Sequence, residues 1–160
     1  MGIATHLGPW LLGTVKETTG TTAGNIRNTG ASHSLQTRAV AYADTTAQTL
    51  LAALPAGSLI QQITFLTTVA YNGTPPTFAF FVNGTAINSA TAPAGVGAGT
   101  TGRGGFTLGT SNPALVANVG ATDALVTFTQ ANGGGGVGAG LLEISYIVRN
   151  SDGTMYSATA

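Results

Sequence analysis

The sequence predicts an all-β protein: an antiparallel β-sandwich or jelly roll of about eight strands, carrying an extended N-terminal arm. Three observations lead there. Thr, Val, Ile, Phe and Tyr recur in short runs from about Leu35 to Val148, and Gly, Pro and Asn separate those runs. Helical periodicity is nearly absent from a chain with 24 glycines. At 160 residues the chain can build one domain around one core and is too short for two large ones.

The elements follow in order. Residues 1–34 combine an apolar cluster, Leu7-Gly-Pro-Trp10-Leu11-Leu12, with a Gly/Thr/Asn stretch from Thr18 to Gly30 that has no sustained period, so they are expected to form an arm lying on neighbouring subunits. Residues 35–149 are expected to form the sandwich. Leu35–Ala43 alternates weakly, and Thr49–Leu54 stops at the Pro55-Ala-Gly57 turn. Ser58–Tyr71 is the clearest strand, with Leu59, Ile63, Phe65 and Val69 expected on the core face and Gln62, Thr64 and Thr68 opposite. Asn83-Gly84 joins Thr77–Val82 to Ala86–Ala90 as a hairpin, because the turn that fits twisted strands needs positive φ at both central residues. Gly105–Leu108, Ala124–Gln130 and Leu141–Arg149 complete the strands.

A short helix is expected over Asn112–Asn118, with Asn112 as cap and Pro113 at the first helical position. The Gly-rich insertions Pro93–Gly105 and Asn132–Gly140 are long for hairpin loops and should share one rim. Residues 150–160 read as a polar tail.

Charge is scarce. Five basic and five acidic side chains give zero net charge, and charged residues make up 6% of the chain where about a quarter is usual. A free monomer normally keeps a mixed charged surface and a net charge. A surface of Thr, Ser, Asn, Gln and Gly instead suits contact with other subunits, since no charge need be desolvated. A homo-oligomer is expected, a trimer favoured. Hydrophobic content of 43% excludes wholesale disorder. No run approaches the roughly 20 apolar residues of a membrane span, and the start Met1-Gly-Ile-Ala-Thr-His lacks the pattern of a secretory signal, so synthesis in the cytoplasm and no membrane partner are expected. With no cysteine there is no disulfide framework and no thiolate chemistry.

Catalytic patterns find little support. His6 and His33 stand 27 positions apart with no acid placed to orient either, and the five carboxylates are scattered singly. Gly97-Ala-Gly99-Thr-Thr-Gly102 and Gly133-Gly-Gly135-Gly-Val-Gly138 match the letters of a dinucleotide fingerprint. Neither opens a helix, which the pyrophosphate would require. Asn72 and Asn83 begin sequon-like triplets that read as turn residues. No enzyme activity, cofactor or metal is expected. The first 38 residues carry net +2 through Lys16, Arg27 and Arg38, short of the dense basic stripe of a nucleic-acid binder. That points to a basic arm on an acidic partner surface, with Trp10, Leu11 and Leu12 as apolar anchors, or to those anchors folding under the chain's own sandwich. Arg103, within the first Gly-rich insertion, is expected to make a rim-loop contact.

The opening Thr5-His-Leu-Gly-Pro-Trp-Leu-Leu-Gly-Thr-Val-Lys16 with Thr18-Thr-Gly-Thr-Thr-Ala-Gly24, the middle Leu54-Pro-Ala-Gly57 and the end Ile147-Val-Arg-Asn-Ser-Asp-Gly153 resemble small structural proteins of tailed bacteriophages. The resemblance implies a virion protein on the capsid surface. In particular it implies a head decoration or cement protein that binds the major capsid protein, stabilises the shell and sits as trimers at local threefold positions. The alternatives are a tail or head-fibre component contacting a host receptor or glycan, and a carbohydrate-binding module. Sugar sites use exposed aromatic platforms, for which Trp10, Tyr71 and Tyr156 look available.

Overall fold

The computed structural model describes residues 32–44 and 47–148. Trp10, Leu11, Leu12, Lys16 and Arg27 of the expected arm, and the expected tail, lie outside the described residues. The elements are β1 (Ser32–Ala41), β2 (Thr49–Leu54), β3 (Leu59–Val69), β4 (Thr74–Val82), β5 (Thr85–Ala86), β6 (Gly102–Gly105), α1 (Pro113–Ala117), β7 (Ala124–Gly133) and β8 (Ala139–Val148). One antiparallel sheet has the order β1-β8-β3-β6 and the other β2-β7-β4-β5. Each early strand pairs with its counterpart from the far end of the chain: β1 with β8, β2 with β7, β3 with β6 and β4 with β5. That is one long antiparallel ribbon rolled onto itself, the jelly-roll form of the expected sandwich.

The core lies between the sheets and follows period-two alternation. Ala124, Val126 and Phe128 of β7 and Leu142, Ile144 and Tyr146 of β8 are buried. Phe78 sits at the centre, its ring 5.1 Å from Phe65, 5.5 Å from Phe106 and 6.2 Å from Phe128. The hairpin at Asn83-Gly84 forms as expected, with φ of 47° and 80°. The Asn83 side chain then extends the ladder by accepting the Leu125 N–H at 2.9 Å.

Several expectations are corrected. β3 was expected to bury Leu59 and Val69 together with Ile63 and Phe65. Register shifts between Ile60 and Gln62 and between Thr67 and Val69 change the phase twice. Ile60 therefore points inward ahead of Ile63, Phe65 and Thr67, and Val69, beyond the second shift, is exposed. The sixth strand uses Gly102–Gly105, ahead of the expected Gly105–Leu108. Bare glycine backbone can lie under the preceding loop, and a Cβ on Gly104 would meet Ala94 O at 2.5 Å and Val96 Cγ2 at 2.9 Å. The partner of β4 ends at Ala86 instead of Ala90. Beyond it the Asn88 amide takes over, accepting the Phe80 N–H at 2.7 Å and donating to Phe78 O at 3.4 Å, so β4's outer edge stays satisfied. Pro113 does open α1, but Asn112 makes no side-chain cap bond. Its Nδ2 donates to Ala86 O at 2.6 Å.

Two glycines separate close packing from open loop. A Cβ on Gly140 would stand 2.4 Å from Phe65 Cζ and 2.5 Å from the backbone carbonyl of Leu66, whereas one on Gly136 would meet nothing within 4 Å. Gly140→Ala is expected to destabilise the fold by about 2–3 kcal/mol, as overpacking a rigid core does, and Gly136→Ala by less than about 0.5 kcal/mol. Urea unfolding of the two variants checks this, and equal effects would contradict the packing described.

Candidate assembly surface

Charged side chains among the described residues are distributed unevenly. Sheet β1-β8-β3-β6 carries His33 and Arg38 on β1, Arg103 on β6 and Glu143 on β8. Sheet β2-β7-β4-β5 carries none on any strand. Asp44 and Asp123 lie in connections.

Each of these carboxylates is engaged in the fold. Asp44 Oδ2 accepts the Ala41 N–H at 2.7 Å and closes the turn after β1. Asp123 Oδ1 accepts the Ala56 N–H at 3.0 Å, tying the approach to β7 to the β2–β3 turn. Glu143 accepts the Thr64 hydroxyl at 3.0 Å and pairs with Arg103, reaching from both sides across β3. No group of three or more His, Cys, Asp or Glu that could hold a metal occurs among the described residues.

Three residues expected in the arm or a loop lie on strands. Arg38 belongs to no arm: it pairs in register with Leu142 inside β1. It is exposed at the sheet edge, where a charge discourages further strands from adding. Arg103 lies in β6, where Glu143 holds it. That pair spans 40 positions and only strand pairing brings it together. His33, expected in the arm, is also in β1, opposite Ile147.

The Gly-rich loops do share a rim. The Gly99 N–H donates to Tyr71 O at 2.7 Å, and the Gly136 and Val137 N–H groups donate to Asn72 Oδ1 at 3.1 and 3.3 Å. Both loops thus close on the same β3–β4 connection. Their glycines feed strands and open no helix, as the sequence implied. The opposite rim holds the 55–58 and 83–84 turns together with Ser32 and Val148, which pair in register, so the described chain enters and leaves side by side.

Tyr71, expected as an exposed platform for a sugar, is buried beneath Gly138 and against Phe65, at a ring distance of 6.2 Å. The other buried aromatics are Phe65, Phe78, Phe80, Phe106, Phe128 and Tyr146, while Tyr42 and Phe81 are partly buried. What the surface offers instead is aliphatic: Leu35, Leu50, Val69, Leu125 and Val137 are exposed. Sequence reasoning missed the strand members Leu35, Leu50 and Leu125 because alternation alone does not say which face of a strand is outward, and Val69 because β3 shifts register before it.

Burial, and secondarily the Asp44 carboxylate, push the Tyr71 phenol from 10.0 up to about 12. The folded state therefore holds this proton more tightly than the unfolded chain does. Its contribution is complete below pH of about 10 and is lost between about 10 and 12, as the unfolded chain ionises first. The hydroxyl is buried with no hydrogen-bond partner among the described residues. Tyr71→Phe is expected to be as stable as the parent or slightly more so at neutral pH, and to lose roughly 2 kcal/mol less between those two pH values. Denaturant unfolding across that range measures it, and parallel pH dependences would exclude the assignment.

No family model matches the chain, and no curated protein matches it. Among solved structures, a chain of the cyanophage Pam1 capsid asymmetric unit is similar at 20% identity and a TM-score of 0.44, with 74% of this chain and 86% of that chain covered.

Proposed function

We propose that this chain is a structural protein of a phage virion, a decoration or cement protein that binds the assembled capsid through the major capsid protein and stabilises it. The resemblance of its opening, middle and closing segments to small phage structural proteins carries the reading. The chemistry of the folded domain is in keeping with it, because the described carboxylates are bound into the fold and not gathered around a reacting centre. Free energy of attachment, added per occupied site, strengthens the shell by linkage. No turnover, cofactor or nucleic acid takes part. A jelly roll also serves lectins, so the fold by itself does not choose between shell and glycan. The burial of Tyr71 favours the shell, because it removes one of three aromatic platforms available to a sugar.

In this reading the arm is the attachment device, and Trp10, Leu11 and Leu12 each contribute roughly 1.5–3 kcal/mol when fully buried at an interface. Exposed ion pairs from Lys16 or Arg27 add less than about 1 kcal/mol each. Deleting residues 1–30 is expected to leave a folded domain, since β1 begins at Ser32 and the described residues form a hydrophobic core among themselves. Binding to undecorated heads should fall below detection. Co-sedimentation with heads, paired with circular dichroism, decides: full occupancy by the truncated protein would overturn the role of the arm, and failure of the full chain to bind would overturn the capsid reading.

A further inference from the structure

We propose that the outward face of the β2-β7-β4-β5 sheet is the surface by which one copy of this chain associates with a second. The register defines that face. Leu50 of β2 and Phe81 of β4 both stand opposite Thr127 of β7, and Ala53 stands opposite Leu125 in the next row. Ala79 opposite Thr129 and Thr77 opposite Ala131 continue it towards the glycine rim. Leu50 and Leu125 are 45% and 52% exposed, so the half nearer the Asn83-Gly84 turn is an aliphatic patch across neighbouring strands. The other half carries small side chains, which let two sheets approach to about 10 Å.

The charge pattern selects a second copy as the occupant. In a symmetric contact each charge near the axis meets its own image, and like charges placed opposite one another are destabilising. A face with no ionisable side chain has no such cost. The outward face of the other sheet does not meet this condition, for it carries Arg103, Glu143 and His33. A separate partner recognised by charge would find nothing to read on the β2-β7-β4-β5 sheet.

The size of the face sets the strength expected. β7 has ten residues and so is about 34 Å long, and four strands spaced about 4.8 Å apart put the outer axes about 14 Å apart. That gives at most on the order of 500 Å² per copy, or about 1,000 Å² in total, the lower bound for a specific interface. Association should therefore be weak and concentration-dependent in solution. The assignment deepens the self-association expected from the scarcity of charge, as a two-fold contact in place of the trimer favoured there, and is independent of attachment to heads.

Sedimentation velocity of the purified full chain, from about 5 to about 200 µM, tests it over the range where small interfaces dissociate. The wild-type chain should sediment faster as concentration rises. Leu125→Glu and Leu50→Glu should each weaken association at least tenfold, while Leu35→Glu, at the most exposed large apolar residue of the other sheet (57% exposed), should change it less than twofold. If a leucine variant loses its cooperative melt, Thr127→Lys places a charge in the same row without removing an apolar side chain. A wild-type chain that stays monomeric throughout, sheet variants that associate normally, or a Leu35→Glu effect as large as theirs would each overturn the proposal. Binding to heads is a separate measurement, so loss of one property without the other identifies which reading has failed.

Discussion

Phe78 is held between rings from both sheets, and the rest of the structure is arranged to make that possible. Phe65 reaches it from β3, while Phe80 and Phe128 flank it within its own sheet and Phe106 closes the side. Such pairs add about 0.5–1.5 kcal/mol each beyond the area they bury. The demand propagates outward. The Phe65 ring occupies the place where residue 140 would carry a side chain, so β8 has glycine there, and Tyr71 packs in the same way beneath Gly138. At Gly138 and Gly140 glycine is imposed by the aromatic volume beside it.

Scarcity of charge changes how the irregular parts are joined. In place of surface ion pairs, neutral amides and carboxylates reach over long sequence distances to backbone groups: Gln36 to Ala53 O, Gln130 to Ala41 O, Asn132 to Tyr42 O, and Asp123 to the Ala56 N–H. These bonds depend little on salt, unlike exposed charge pairs. A domain held in this way is expected to keep its loop geometry across wide ionic conditions, and the same scarcity of charge leaves a whole sheet without it.

The legible parts of the sequence were those governed by local chemistry. The Asn83-Gly84 hairpin, the β2 limits at Thr49 and Leu54, and Pro113 at the start of α1 each follow from one or two residues and their allowed dihedrals. What local pattern does not encode is phase and partnership. The register shifts in β3 carry no composition signal, so Leu59 and Val69 looked like core. Arg103 looked like loop because glycines surround it, and only pairing with β3 reveals a strand. Charge-free runs at Thr49–Leu54, Thr74–Val82 and Ala124–Gly133 can be read off one by one. Their union in a single sheet is a product of the rolled ribbon, and so the candidate contact surface was invisible before the topology. The arm anchors and the tail lie outside the described residues.

The register match of Ser32 with Val148 has a topological consequence. Because the domain is entered and left at one pole, the strands could be re-spliced by a short linker across that pole and opened elsewhere, for example at the exposed Gly134–Gly136 bend, without altering any strand pair. In mechanical terms, a load applied through both flanking segments pulls on the β1–β8 pair from one end and unzips it bond by bond. A load applied between that pole and the glycine rim acts along the strands and must shear many hydrogen bonds at once. The jelly roll is thus soft in one direction and stiff in the other, and its orientation on any surface decides which of the two is felt.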